Sequence, residues 1–188
     1  MNTHYIKRQA QKGFTLVELL IVVIILAILA AIVVPQFASS TDDAKISSLD
    51  STLSNMRSAV DLYRQQHNAY PGDNTAVPDA ANPCSGTAGT GAGGNLATFY
   101  EQLSMYTTGG GMACSKQDAG YDYGPYLKKV PLAANPVTNV ATVAISTAGA
   151  LDMNGDGAGL GWKYDTKTGK FIANDTNNDP DGVSYDKH

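Results

Sequence analysis

The pattern of apolar and polar positions divides the chain near Pro35. From Phe14 to Val34 every residue is apolar except Thr15 and Glu18, a run of 21 positions. A helix of that length, rising ~1.5 Å per residue, covers the ~30 Å hydrocarbon core of a bilayer, so the run predicts a membrane-spanning helix. A cleaved secretory signal would have an apolar region of only ~7 to 15 residues with its cut on the far side. Here the candidate cut is on the near side, where Lys12 and Gly13 directly precede Phe14. Beyond Pro35 the pattern narrows to a stripe. Ile46, Leu49, Leu53, Met56, Val60 and Tyr63 recur at helical spacing, continued by His67 and Tyr70, while Asp50, Ser54, Arg57, Asp61 and Arg64 take other faces. These signals predict one helix from Phe14 to about Asn68, ended by Pro71 and Gly72. Pro35 lies inside it and should kink or locally melt residues 30–35.

The remaining pattern is shorter in range. Residues 71–94 are dense in Pro, Gly, Asn and Asp and read as a flexible, surface-exposed loop. Residues 95–108 carry Leu96, Phe99, Tyr100, Leu103 and Tyr106 at helical spacing, which predicts a short amphipathic helix. Residues 140–147 are rich in β-branched side chains, and residues 160–174 read as two strands around a turn at Gly169. The expected fold class is α+β: a long N-terminal helix, membrane-spanning in its first half, packed on a small antiparallel β-sheet head. In segments, this gives a leader at 1–13, an apolar helix at 14–35, an amphipathic continuation at 36–70 and a globular head at 71–188.

Glu18 demands a reason. A carboxylate at mid-membrane costs roughly 2.5 to 3.5 kcal/mol, less near the interface, so something should neutralise it. Gly13, Phe14 and Glu18, within GFTLVELLIVV, closely resemble the processing signal of type IV prepilins and type II secretion pseudopilins. The resemblance implies a pilin fold, cleavage by a prepilin peptidase after Gly13 and methylation of the new N-terminal Phe14. It also implies that Glu18 pairs with a neighbouring subunit's N-terminal amine during assembly, on an inner-membrane assembly platform. Pro35 falls where many members of that family carry a proline. Tyr126 to Pro131, YLKKVP, resembles a segment preceding the sheet in major pseudopilins, although Asn135-Pro136 stands where that branch has Asp-Pro-Trp-Gly. Pilus and secretion pseudopilus therefore both stay open.

Charge sharpens the topology. The leader carries Lys7, Arg8 and Lys12 and no acid, which favours a cytoplasmic N-terminus and export of the rest to the periplasm or cell surface. Without these three charges the formal net charge goes from −4 to −7, and no basic cluster exceeds Lys128-Lys129, which argues against direct nucleic-acid binding. Cys84 and Cys114 both fall in the exported part; an even count without CxxC spacing predicts one disulfide.

Two acidic stretches raise the question of calcium, which takes six to eight oxygens. DMNGDG, with Asp152, Asn154 and Asp156, opens like an EF-hand loop, but Lys163 stands where the closing Glu belongs. The resemblance to major pseudopilins makes Asp175, Asn177, Asp179 and Asp181 the better candidate for a structural calcium. The alternative is that these residues simply make turns. For catalysis only His67 is left outside the leader and the last position, and no GxSxG, HExxH or phosphate-binding loop occurs, which argues against an enzyme. The expected function is a structural subunit that polymerises through its N-terminal helix; the alternative is a membrane-anchored, exported, monomeric binding domain.

Overall fold

The computed structural model describes residues 13–157 and 159–188. The leader expected at residues 1–13 lies, up to Lys12, outside the described residues. Two compact units divide within the first helix, between Asp42 and Asp43.

The first helix, α1, spans Leu16–His67, within two residues of the expected limits. It remains helical through residues 30–35, so the local melting expected at Pro35 does not occur. A proline removes one N–H from the ladder, and the bonds on either side suffice to keep the helical path. In the N-terminal unit, Leu16–Val34 is apolar and exposed along its whole length.

The C-terminal unit holds the core. Leu49, Leu53, Met56, Val60 and Tyr63, one face of α1, are buried against Phe99, Leu103, Trp162, Tyr164 and Phe171. Full burial of such a side chain contributes roughly 1.5 to 3 kcal/mol, which explains why the stripe rather than helix propensity fixes this half of α1. Phe99 and Tyr164 lie with ring centroids 4.4 Å apart, and Trp162 and Phe171 5.5 Å apart.

A second helix, α2, spans Leu96–Ser104, and Asn95 caps it by accepting a hydrogen bond from the Thr98 amide. The expected helix over 95–108 is thus cut short. Tyr106–Thr107 forms strand β1, paired antiparallel with β2 at Ala113–Cys114. The main sheet orders β3 (Val143–Ser146), β4 (Trp162–Asp165) and β5 (Phe171–Ala173) side by side. β4 and β5 are antiparallel as expected, but β3 runs parallel to β4, so this sheet is mixed. A parallel pair needs a crossover, and residues 147–161 are long enough to supply one where a tight hairpin would not be. Asp165 joins the crossover to the hairpin: its carboxylate accepts from Ser146 Oγ and Gly149 N on one side and from Lys167 N and Thr168 N on the other. Gly169, at φ +71°, closes the turn where a Cβ would lie 2.2 Å from the Tyr70 ring.

The loop over 71–94 is exposed at most positions, as expected, but it is packed at Pro71, Gly72, Ala76, Gly89 and Gly91. Gly89 and Gly91 are buried, and Cβ atoms there would stand 2.5 Å from Ala76 O and 2.3 Å from Thr98 N. Close approach of backbones, not flexibility, calls for these glycines. The Glu101 carboxylate accepts from the Thr90 and Gly91 amides and pins the loop to α2.

Candidate functional site

The start of α1 gathers the residues singled out in the sequence. Gly13 and Phe14 precede the helix, Phe14 is 84% exposed, and a Cβ on Gly13 would meet nothing within 4 Å. Packing among the described residues therefore places no demand for glycine at position 13. Glu18 stands on the first turn, where its carboxylate accepts from the Thr15 amide at 2.9 Å and the Thr15 hydroxyl at 2.8 Å. The Thr15 hydroxyl in turn accepts from the Glu18 amide at 3.2 Å. This reciprocal arrangement is a capping box, which satisfies two of the amides that a helix start leaves without partners. It also sets an acidic group against the positive end of the helix dipole. Thr15 was not among the expected site residues, yet its signal is legible: Thr-x-x-Glu at the head of an apolar run.

From Leu16 to Val34, 19 residues form the one segment among the described residues long and apolar enough to cross a membrane, and none of it is buried. An apolar surface of this extent requires lipid or protein around it.

In the C-terminal unit Cys84 and Cys114 are joined in a disulfide, with Cα atoms 5.6 Å apart, as expected. Cys114 lies in β2, so the bridge fastens the 71–94 loop to the small sheet. Among the described residues the only three His, Cys, Asp or Glu ligand atoms within 4.8 Å of one another are those of Cys84, Cys114 and Asp118, and two of these are the joined sulfurs. Asp118 is occupied by the amide and hydroxyl of Ser85, which hold its carboxyl below the usual carboxylate range.

The four candidate calcium ligands do not converge. Asp175 and Asp179 are buried, whereas Asn177 and Asp181 are exposed. Asp175 accepts from the Asn177 amide, and one oxygen of Asp179 accepts from the Asp181 and Val183 amides. The other Asp179 oxygen faces His188 Nε2 at 3.2 Å, while His188 Nδ1 lies 3.0 Å from Asp50 on α1. In this arrangement the Asp175 and Asp179 carboxylates accept amide hydrogen bonds that fold the loop on itself. In the DMNGDG loop the position of the missing Glu explains itself. The Lys163 ammonium contacts the Asn154 carbonyl and the Asp156 carboxylate, so a side-chain cation sits among those oxygens. Asn174 and Asp186 hold the same loop through the Asp156 and Gly155 amides.

His67 ends α1 in a box of hydroxyls and rings. Its Nε2 lies 2.9 Å from Tyr126 Oη and 3.1 Å from Thr107 Oγ1, and its ring stacks on Tyr63 at 3.9 Å. Burial pushes its pKa down, opposed by the carbonyls of Gly109 and Thr108. No carboxylate or thiol is among these contacts, and the ring packs against Tyr63 and Tyr123.

Comparison with known proteins agrees with this geometry. The prokaryotic N-terminal methylation motif matches residues 8–34. The type II secretion system core protein G of Pseudomonas aeruginosa is 45% identical over 65 residues, 35% of this chain and 46% of that protein. The type IV major pilin protein PilE of Neisseria gonorrhoeae is 40% identical over 72 residues, 38% of this chain and 43% of that one. The type IV narrow pilus major component PilA5 of Thermus thermophilus is 42% identical over 76 residues, 40% of this chain and 63% of that one. The chain thus spans about half the length of the curated relatives it matches. No solved structure matches it significantly. Over the 65 to 76 residues matched, the chain is thus similar to type IV pilins and to type II secretion core protein G, and it carries the N-terminal methylation motif.

Proposed function

We propose that this protein is the structural subunit of a filament, a type IV pilus or a type II secretion pseudopilus, polymerising through the first part of α1. The carrying observation is Leu16–Val34, exposed along its whole length and apolar at every position but Glu18. In the membrane the lipid covers that surface; in a polymer, copies of the same helix cover it. A prepilin peptidase cuts between Gly13 and Phe14, and the absence of any packing demand on Gly13 among the described residues fits a glycine kept for recognition by that enzyme. The leader stays cytoplasmic, the C-terminal unit is exported, and an inner-membrane platform drives assembly. Glu18 exchanges its Thr15 partners for the N-terminal amine of the next copy's Phe14, an ion pair that offsets the carboxylate's cost in an apolar setting. The role is structural rather than catalytic.

Glu18→Ala tests the reading. Processed, membrane-inserted protein should persist while filaments disappear from the sheared fraction. Wild-type filament yield from this variant would favour the monomeric anchored binding domain instead.

A further inference from the structure

The C-terminal unit carries two surface features that its own packing leaves unused. The first is a notch of about 430 Å³ lined by Lys129, Pro131, Leu132 and Ala133. It is held in place from below, since Trp162 Nε1 donates to the Ala133 carbonyl at 3.0 Å and Asn135 Nδ2 donates to the Gly161 carbonyl at 3.1 Å. Lys129 of its lining and the neighbouring Lys128 are exposed, and among the described residues neither has a carboxylate within ion-pair distance. The second is the turn at Leu151-Asp152. Leu151 is 82% exposed, the most exposed large apolar side chain of this unit, and Asp152 beside it is also exposed. This turn is anchored as well: Lys170 Nζ donates to the Leu151 carbonyl at 2.7 Å, and Gly149 N donates to Asp165.

We propose that these two features are the halves of one contact between copies of this chain: Leu151 of one subunit enters the notch of the next, and Asp152 meets Lys129 at its rim. The inference rests on the filament reading. Charge complementarity selects a second copy as the occupant. The chain is acidic overall, and after the leader Lys128-Lys129 is its one pair of adjacent lysines, so an acidic partner surface is present on every other subunit. A knob and a hole at different places on one surface make a heterologous contact, which repeats without closing and so builds a fibre rather than a dimer. The apolar insertion supplies burial, while the Lys129–Asp152 pair at the rim fixes register and rejects mismatched approaches.

The test is charge reversal in the full-length protein expressed in its membrane. Lys129→Glu and Asp152→Lys should each lower the yield of sheared filaments by about tenfold, and the double variant Lys129→Glu/Asp152→Lys should restore it. All three should keep N-terminal processing and the Cys84–Cys114 bridge, since both positions are exposed. A zero-length carbodiimide reagent applied to wild-type filaments should couple Lys129 of one copy to Asp152 of another, a cross-link that mass spectrometry finds in filaments and not in detergent-dispersed subunits. If wild-type filaments form but the single reversals assemble normally and the cross-link is missing, the contact is wrong and the filament reading stands. If the wild type forms no filaments, both are overturned.

Discussion

The Glu18 carboxylate accepts two hydrogen bonds from one residue, Thr15, through its amide and its hydroxyl. The charge that the proposed assembly contact would use is therefore engaged with its own helix start. Thr15→Ala removes the hydroxyl from this capping box and should weaken the first turn by about 1 kcal/mol. In detergent, amide exchange should quicken at residues 16–19, while filaments still form because Glu18 keeps its charge. Unchanged exchange would mean the capping box contributes nothing.

His67 makes stability depend on pH. Its folded-state pKa lies below the ordinary value because burial disfavours the charged ring, so the unfolded chain binds the proton first. Stability is complete above the unfolded pKa near 6.5 and declines as pH falls through it toward the folded value. The unfolding midpoint should drop between pH 7 and 5, and His67→Gln should flatten that dependence. An equal slope in the variant would assign the effect to other groups. Asp165 and Asp186 act further toward acid. Burial alone would raise their pKa values, but hydrogen bonds to each carboxylate outweigh it and lower them, so the stability they contribute is lost on carboxylate protonation.

Cys84→Ser/Cys114→Ser opens a loop of 30 residues. By chain entropy the folded unit should lose about 3 to 4 kcal/mol, read from denaturant unfolding. A loss under about 1 kcal/mol would mean that hydrogen bonds such as Glu101 to Thr90 hold the loop unaided.

Calcium should leave the unfolding midpoint where a chelator leaves it. The Asp179 oxygens already face two amides and His188, and Lys163 supplies a cation to the DMNGDG loop. A midpoint that rises with added calcium would show that the C-terminal loop gives up these bonds for an ion.

The sequence and the structure agree where a signal was long or chemically specific. The stripe from Leu49 to Tyr63 repeats over four turns, and a period sustained that far locates α1 and the core face together. Two cysteines without a competing partner located the bridge. By contrast β1 and β2 are two residues each, too short to show alternation, which is why Tyr106 read as helical. The parallel sense of β3 depends on a crossover whose path no local pattern encodes. Gly89 and Gly91 look like flexibility in sequence because the backbone atoms that crowd them, at Ala76 and Thr98, come from residues outside the glycine-rich stretch. The spacing of Asp175 and Asp179 did not reveal that amides two and four residues on would donate to their carboxylates.

The most direct measurement is electron cryomicroscopy of fibres sheared from cells making this protein. The account predicts filaments built from the chain beginning at Phe14, with Leu16–Val34 buried at the fibre axis and Glu18 beside the N-terminal amine of a neighbouring copy. Fibres in which that helix faces solvent, or a processed protein that never enters a fibre, would contradict it.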